Sequence, residues 1–470
     1  MKKLGFVFAL MLLLGAVVPV EAVDFSFHGD MNNRFLIYTN RQDWLNNEQD
    51  GVIEDSTVEA YYAELKYRYW FEAADDEDKI KGVYAIEVGG IRYGEQGQGG
   101  GFSGDGVNLE TRWAYLDFQT PGIERKARWR MGLSPWNVNS FFWQETATGL
   151  TLYGDAGDMM DYQVAWIRPT DKLATNSDDD DLDDLDILYG RLNFKPQDKL
   201  KVALFGLYFH SHEEDADTVG PRDWLVKQFD DIASFDFWTV GVDGSWTPGN
   251  FFLNWDLLYQ GGDIKNVIWD PNDQAGDTFD PRTKTGESFD LSAWFAHADV
   301  GYKFGSHKLT YTFWYASGDD DPNDNDFDGY LAVDLDRADN ISIFEGLYTD
   351  DSSYFTERPY MLDKGFIMNK LAWDYNISEK MTVGAAGMYM LTSEDIEYTN
   401  FDGDNESNDE IGFELNGYLQ YMLYKNIEFK INAGYLWAGD AMDAFETGSD
   451  RDGNSDENIF GSSFRIRYKF

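Results

Sequence analysis

The chain has 470 residues, 85 of them acidic against 38 basic, for a formal net charge of −47 at pH 7, and it contains no cysteine. So acidic a balance repels nucleic acid and anionic lipid and suits cations, and without disulfides the fold must draw its rigidity from hydrogen bonds and packing. Aromatic residues reach 17% while the mean hydropathy is −0.49, a combination that implies alternating apolar and polar positions and no thick soluble core.

The first residues read MKKLGFVFALMLLLGAVVPVEA. Lys2 and Lys3 precede an apolar run from Leu4 to Val18, and Val20-Glu21-Ala22 sets small residues where a signal peptidase reads. This is the pattern of a secretory signal peptide over residues 1–22, with one mature domain over 23–470. No later segment has the roughly 18 apolar residues in a row that a spanning helix needs. Membrane insertion would therefore use strands.

Strands of about ten residues with one apolar face recur along the chain. In VEAYYAELKYRYWFE, Ala63, Leu65, Tyr67, Tyr69 and Phe71 share a face opposite Glu64, Lys66, Arg68 and Glu72. LTYTFWY, IGFELNGYLQY and IEFKINAGYLW repeat the design, and helical periodicity fits none of them. Short connections rich in Gly, Pro, Asn, Asp and Ser fall near residues 75–79, 121–126, 155–160, 196–199, 248–250, 305–307, 377–380 and 425–426, as tight turns require. Long polar connections fall near 41–57, 92–106, 134–147, 170–184, 211–234, 262–287, 318–364, 393–409 and 439–457. Short and long alternate throughout. Eight short and nine long connections join 18 strands, with both termini on the short-turn, periplasmic side and the long loops outside. The expected fold is all-β, a transmembrane antiparallel β-barrel; a count of 16 results if the 155–160 and 329–348 stretches are parsed differently.

The chain ends in FRIRYKF. Phe464, Ile466, Tyr468 and Phe470 alternate with Arg465, Arg467 and Lys469, so this strand has one face for lipid and one for water. It is expected to close the barrel against FSFHGDMNNRFLIY. A last strand alternating aromatics up to a C-terminal Phe resembles the assembly signal of Gram-negative outer-membrane proteins, and the whole mature chain resembles a porin. That resemblance implies a bacterial outer-membrane location with contacts to lipid and lipopolysaccharide. It also implies recognition by the barrel-assembly machinery through the last strand, and a homotrimer.

The resemblance further implies that the third long loop folds inward and faces a basic wall. That loop, SPWNVNSFFWQETA (134–147), carries Trp136, Phe141, Phe142, Trp143 and Glu145, an unusual load of aromatics for an external loop. Neighbouring strands offer inward Arg34, Lys66, Arg68, Arg112, Arg128 and Arg130, interleaved with Glu64 and Glu110. These residues and Glu145 form a candidate constriction that sieves by size and charge, or alternatively a polar network that satisfies the barrel interior.

Between Gly318 and Lys364 stand 14 acidic and three basic residues. Within them, Asp324, Asp326 and Asp328 open like a calcium loop, yet Leu335 occupies the position where an EF-hand needs its bidentate Glu. Loose calcium or magnesium at the extracellular rim is the most this pattern supports; no other cofactor is expected. His210 and His212 share a face near a strand end and are read as solvated side chains. No Ser and His spacing suggests hydrolysis, so the expectation is not an enzyme. The leading function is passive diffusion of small hydrophilic solutes or ions. Alternatives are a selective channel for sugar uptake or for acidic polysaccharide export, as in the alginate-export family, and an adhesive surface barrel.

Overall fold

The computed structural model describes residues 23–42, 57–75, 77–97, 99–102, 106–107, 109–170, 185–212, 229–269, 287–321, 324–333, 335, 359–399, 403–445 and 458–470. The signal-peptide segment and most of the long loops lie outside the described residues.

The strands are β1 (Val23–Gln42), β2 (Thr57–Asp75), β3 (Ile80–Arg92), β4 (Leu109–Gln119), β5 (Ala127–Pro135), β6 (Thr146–Asp155), β7 (Met160–Thr170), β8 (Leu185–Gln197), β9 (Leu200–His212), β10 (Phe229–Trp246), β11 (Phe251–Trp269), β12 (Glu287–Phe304), β13 (His307–Ala316), the two-residue β14 (Asp326–Phe327), β15 (Phe366–Ser378), β16 (Met381–Thr399), β17 (Asn405–Tyr424), β18 (Ile427–Ala438) and β19 (Ile459–Lys469). β14 belongs to a loop and runs parallel to the loop end of β12. The other 18 form a single antiparallel sheet that closes where β1 pairs with both β2 and β19. All eight short turns stand where the Gly, Pro and Asn chemistry placed them. Between β12 and β13 only Gly305 and Ser306 make the reversal, and Gly305 has φ 59, a conformation that favours glycine. Three long connections are shorter than expected: β10 starts at Phe229 and β11 runs to Trp269, leaving 213–228 and 270–286 in place of 211–234 and 262–287, and β16 and β17 pair out to Thr399 and Asn405, so their connection is 400–404 in place of 393–409. The acidic, Thr- and Tyr-bearing sequence there continues the hairpin beyond the bilayer, where hydropathy no longer marks a strand.

Closure depends on the last residues. Phe470 donates its N–H to Gly29 O at 3.0 Å and accepts from Gly29 N–H at 2.9 Å. Its ring lies over Gly29, where a Cβ would come within 2.4 Å of the Phe470 ring carbon Cζ, and it packs on Phe27 at 5.4 Å. Further along the seam Phe35 stacks on Phe464 at 4.0 Å. On the inner face Arg467 grips Asp30 bidentately, at 2.7 and 2.5 Å. Arg34 and Arg465 are direct cross-strand neighbours. That like-charge pairing is tolerated because each has its own carboxylate, Glu64 at 2.8 Å and Glu428 at 2.7 Å.

Outward side chains form the apolar belt a lipid-embedded barrel needs. On β12, Trp294 (46% exposed) and Tyr302 (50%) mark two levels eight residues apart, about 26 Å along the strand. Trp238, Tyr259 and Trp294 pack as a row across β10 to β12. Outward amides are satisfied by tyrosine hydroxyls, Asn33 by those of Tyr67 and Tyr93 and Asn369 by that of Tyr311.

The buried apolar core lies inside the barrel. Inward Ile187, Phe205, Phe209, Phe237, Phe289, Phe295 and Trp314 meet loop residues Phe142, Trp143, Tyr330, Leu331 and Met361.

Candidate pore wall and constriction

Strands β1 to β6 carry the charged wall. Glu87, 2% exposed, receives three cations: Lys66 at 3.2 Å, Arg112 at 3.5 Å, and Arg68 in direct contact. On the next strand, Asp117, 1% exposed, takes Arg128 at 2.5 Å, Arg130 at 3.2 Å and the Tyr153 hydroxyl at 2.6 Å. The Arg130 guanidinium also lies over the rings of Tyr115 and Tyr153. Each carboxylate thus holds several guanidinium or ammonium groups in fixed positions. The wall is a ladder of cations partly neutralised by its own acids.

The loop between β5 and β6 enters the lumen. Its stem is zipped by Trp136 N–H to Glu145 O at 2.8 Å and Val138 N–H to Trp143 O at 3.0 Å. Its tip is apolar and buried: Phe141 packs against Phe295, His297 and Trp314 at 4.8, 4.5 and 5.1 Å, and Trp136 stacks on Trp143 at 6.0 Å. Two polar latches fix it to the far wall. Asn139 Nδ2 donates to Asp256 Oδ1 at 2.6 Å while His297 holds the other Asp256 oxygen at 2.9 Å, and Arg191 donates to Val138 O at 3.0 Å with Asp243 behind it at 2.7 Å. The long loop after β13 then covers the tip. Tyr330 donates its hydroxyl to Phe141 O at 3.1 Å, Val333 N–H reaches Phe142 O at 2.8 Å, and Gln260 brackets Leu331 through both its N–H and C=O.

Among the described residues, two cavities lie beside this plug. One of about 330 Å³ lies between the loop and the charged wall, with Asp30, Arg68, Trp70, Arg112, Trp113 and Glu145 in its lining. The other, of about 380 Å³, lies against β7 to β11 and includes Asp161, Arg191, Asp243 and Asp256.

Of the residues singled out in the sequence, Arg34, Glu64, Lys66, Arg68, Arg112, Arg128 and Arg130 stand on the inner wall, and Glu145 meets Arg112 at 3.3 Å where the loop leaves it. Glu110 is the direct cross-strand partner of Glu87 and sits exposed at the loop end of β4. A bulge opposite Ala85 and Ile86 lets the consecutive residues Arg112 and Trp113 both line the lumen cavity, a break in the β4 alternation that period-two counting could not see. Sequence reasoning passed over Asp30, Glu87, Asp117, Trp70 and Trp113. All stand on the inner wall, and their cross-strand position was the only available signal.

In the acidic loop, the carboxylates that come together are Asp319, Asp320 and Asp328, with ligand atoms within 4.8 Å of one another. Asp324 and Asp326 are not in this group, because Asp324 instead accepts the Asp326 N–H at 2.9 Å in a local turn. Burial, then the nearby acids Asp320, Asp326 and Asp324, raise the Asp328 carboxyl above its usual range. His210 points outward and contacts Asp236; the His212 side chain lies outside the described residues.

The architecture is that of an 18-stranded outer-membrane porin barrel. No protein-family model matches the chain, and no curated protein matches it in sequence. Among solved structures it is similar to three Pseudomonas aeruginosa proteins. OccK8 (OprE) has a TM-score of 0.51 and 11% identity, over 95% of this chain and 98% of that one. The outer membrane protein OpdK has a TM-score of 0.51 and 8% identity, over the same shares. OprD has a TM-score of 0.50 and 12% identity, over 95% of each chain. At such identities the likeness is one of fold.

Proposed function

We infer that the protein is a bacterial outer-membrane channel for passive diffusion of small hydrophilic solutes and ions. The observation that carries this reading is the closed 18-strand barrel with a lipid-compatible outside and a charged inner wall facing an inward loop across a residual cavity. No energy coupling or catalytic step is involved. Arg34, Glu64, Lys66, Arg68, Arg112, Arg128, Arg130 and Glu145 set the charge of the passage. The basic ladder is partly cancelled by Glu87 and Asp117, so the acidic loops govern permeation and the channel prefers cations. The reversal potential in a planar bilayer under a KCl gradient tests this: ohmic steps with cation selectivity are expected, and a bilayer that stays silent overturns the reading. A second reading, a barrel closed until its loops move, draws on the apolar packing of 136–145 beneath Tyr330 to Val333.

Three further points belong to the same proposal. Export uses residues 1–22 as a cleaved signal, which N-terminal sequencing of the membrane-extracted protein checks. Assembly uses the C-terminal strand for recognition by the barrel-assembly machinery and yields a homotrimer, which light scattering in detergent measures. The Asp319, Asp320 and Asp328 carboxylates weakly hold calcium or magnesium and bridge lipopolysaccharide phosphates, read as a fall in thermal stability on chelation.

A further inference from the structure

The geometry points to a binding subsite for a neutral saccharide ring, about one hexose in size, on a tryptophan platform beside the constriction. This rests on the channel reading and deepens it by naming the solute class. Trp70, Ala85 and Trp113 are direct cross-strand neighbours on β2, β3 and β4, and His28 of β1 pairs with Trp70 in the same row. The His28 ring stacks on Trp70 at 5.1 Å, and the two indoles stand 5.8 Å apart at 60°. The small Ala85 between them leaves a recess, and all three side chains line the cavity of about 330 Å³, at the small end of ligand sites.

These indoles differ from the aromatics on the other side of the lumen. Phe142 and Trp143 are wholly buried by loop packing, whereas Trp70 and Trp113 keep part of their surface open to the cavity. The remaining lining supplies hydrogen-bonding groups of balanced charge: Arg68 and Arg112 against Asp30 and Glu145, with the amides of Asn137 and Gln144. Each of these ions is already engaged within the wall, Arg68 and Arg112 by Glu87, Glu145 by Arg112 and Asp30 by Arg467, so none is left uncompensated to select a charged solute. A neutral polyol, in contrast, can use both kinds of group, since each hydroxyl donates and accepts. The C–H face of a pyranose is apolar and slightly positive, complementary to the negative face of an indole, while its hydroxyl edge meets the charged forks.

The test is single-channel recording in KCl with glucose as probe, sorbitol as the acyclic control of the same carbon count and gluconate as the anionic control. Glucose is expected to add concentration-dependent current noise, sorbitol none, and gluconate no more than glucose. In Trp70→Ala and Trp113→Ala the apparent affinity for glucose should fall about tenfold, with assembly checked by heat-modifiable gel mobility. The subsite is overturned if sorbitol matches glucose, if gluconate binds tighter, or if both variants keep the full glucose effect. Ohmic conductance without a glucose effect sinks the subsite alone and leaves the channel standing; absence of conductance sinks the channel. In that case saturation-transfer NMR on the detergent-solubilised protein reads the subsite independently. Transfer to the glucose ring protons that disappears in the tryptophan variants supports it, and no transfer overturns it.

Discussion

The two sides of the lumen use the same strand geometry for opposite purposes. Along β1 to β6 and β17 to β19 the inward positions hold charges locked in pairs: Arg34 with Glu64, three cations on Glu87, two on Asp117, Arg465 with Glu428 and Arg467 with Asp30. Along the loop ends of β8 to β15 the inward positions are Ile187, Phe209, Phe237, Phe289, Phe295, Trp314 and Phe366, and inserted loops fill that space. On the charged wall Arg68, Arg112 and Arg130 keep part of their surface open, because desolvating them fully would cost more than packing returns, so space remains beside them. An apolar wall exposed to lumen water would be driven to cover itself. Chemistry on the two walls therefore decides which side of the barrel is open and which is plugged.

The strongest way to break this contrast is to remove the plug. Replacing Phe141, Phe142 and Trp143 together by Ala strips the loop tip of its contacts with Phe295, Trp314 and Phe209, at about 3 to 5 kcal/mol for each large aromatic before the site relaxes. Single-channel conductance should rise several-fold, and an unchanged value would mean that the apolar side does not limit the passage. Next in size, Glu87→Gln removes the one carboxylate shared by Lys66, Arg68 and Arg112. Permeability should shift towards anions by about twofold or more, visible as a displaced reversal potential; no displacement would show that the mouths alone set selectivity.

A third change separates wall chemistry from barrel closure. Gly29→Val places a side chain where the Phe470 ring now lies, so the yield of heat-modifiable, folded barrel should drop while any folded fraction conducts normally. Smaller still, Asn139→Ala cuts the latch to Asp256 and the bond that Phe141 N–H donates to Asn139 Oδ1, leaving the apolar side chains of the tip in place. A hydrogen bond to a charged group contributes about 1.5 to 3 kcal/mol, so more frequent gating transitions are expected at unaltered main conductance. The smallest effect concerns the rim. Asp328 has its carboxyl raised in the folded state, so its neutral form is favoured there and the stability this contributes is lost as pH rises through and above the usual carboxylate range. Asp328→Asn should raise the melting temperature slightly at pH 7 and make no difference under acid conditions.

Period two and turn chemistry by themselves pointed to 18 strands, with 16 left open by two ambiguous stretches, and to the short turns, the lipid-facing side of most strands and the pairing of FRIRYKF with the first strand. All these follow from local backbone geometry, in which a side chain's face is set by its parity and a reversal by two or three residues. The inward basic residues were legible for the same reason, although on β4 a bulge at Arg112 breaks the parity. Parity does not give the height of a side chain relative to one two strands away, and so it could not show that Glu87 gathers three cations, that Asp117 gathers two, or that Trp70 and Trp113 flank Ala85. Nor could it show that Asp319 and Asp320, in place of Asp324 and Asp326, bring their carboxylate oxygens together with that of Asp328, because the loop's own turn decides that. Which wall the inserted loop packs against was likewise settled only by tertiary structure, since the aromatics of residues 136–143 and their partners on β9, β12 and β13 are brought together by closure of the whole sheet.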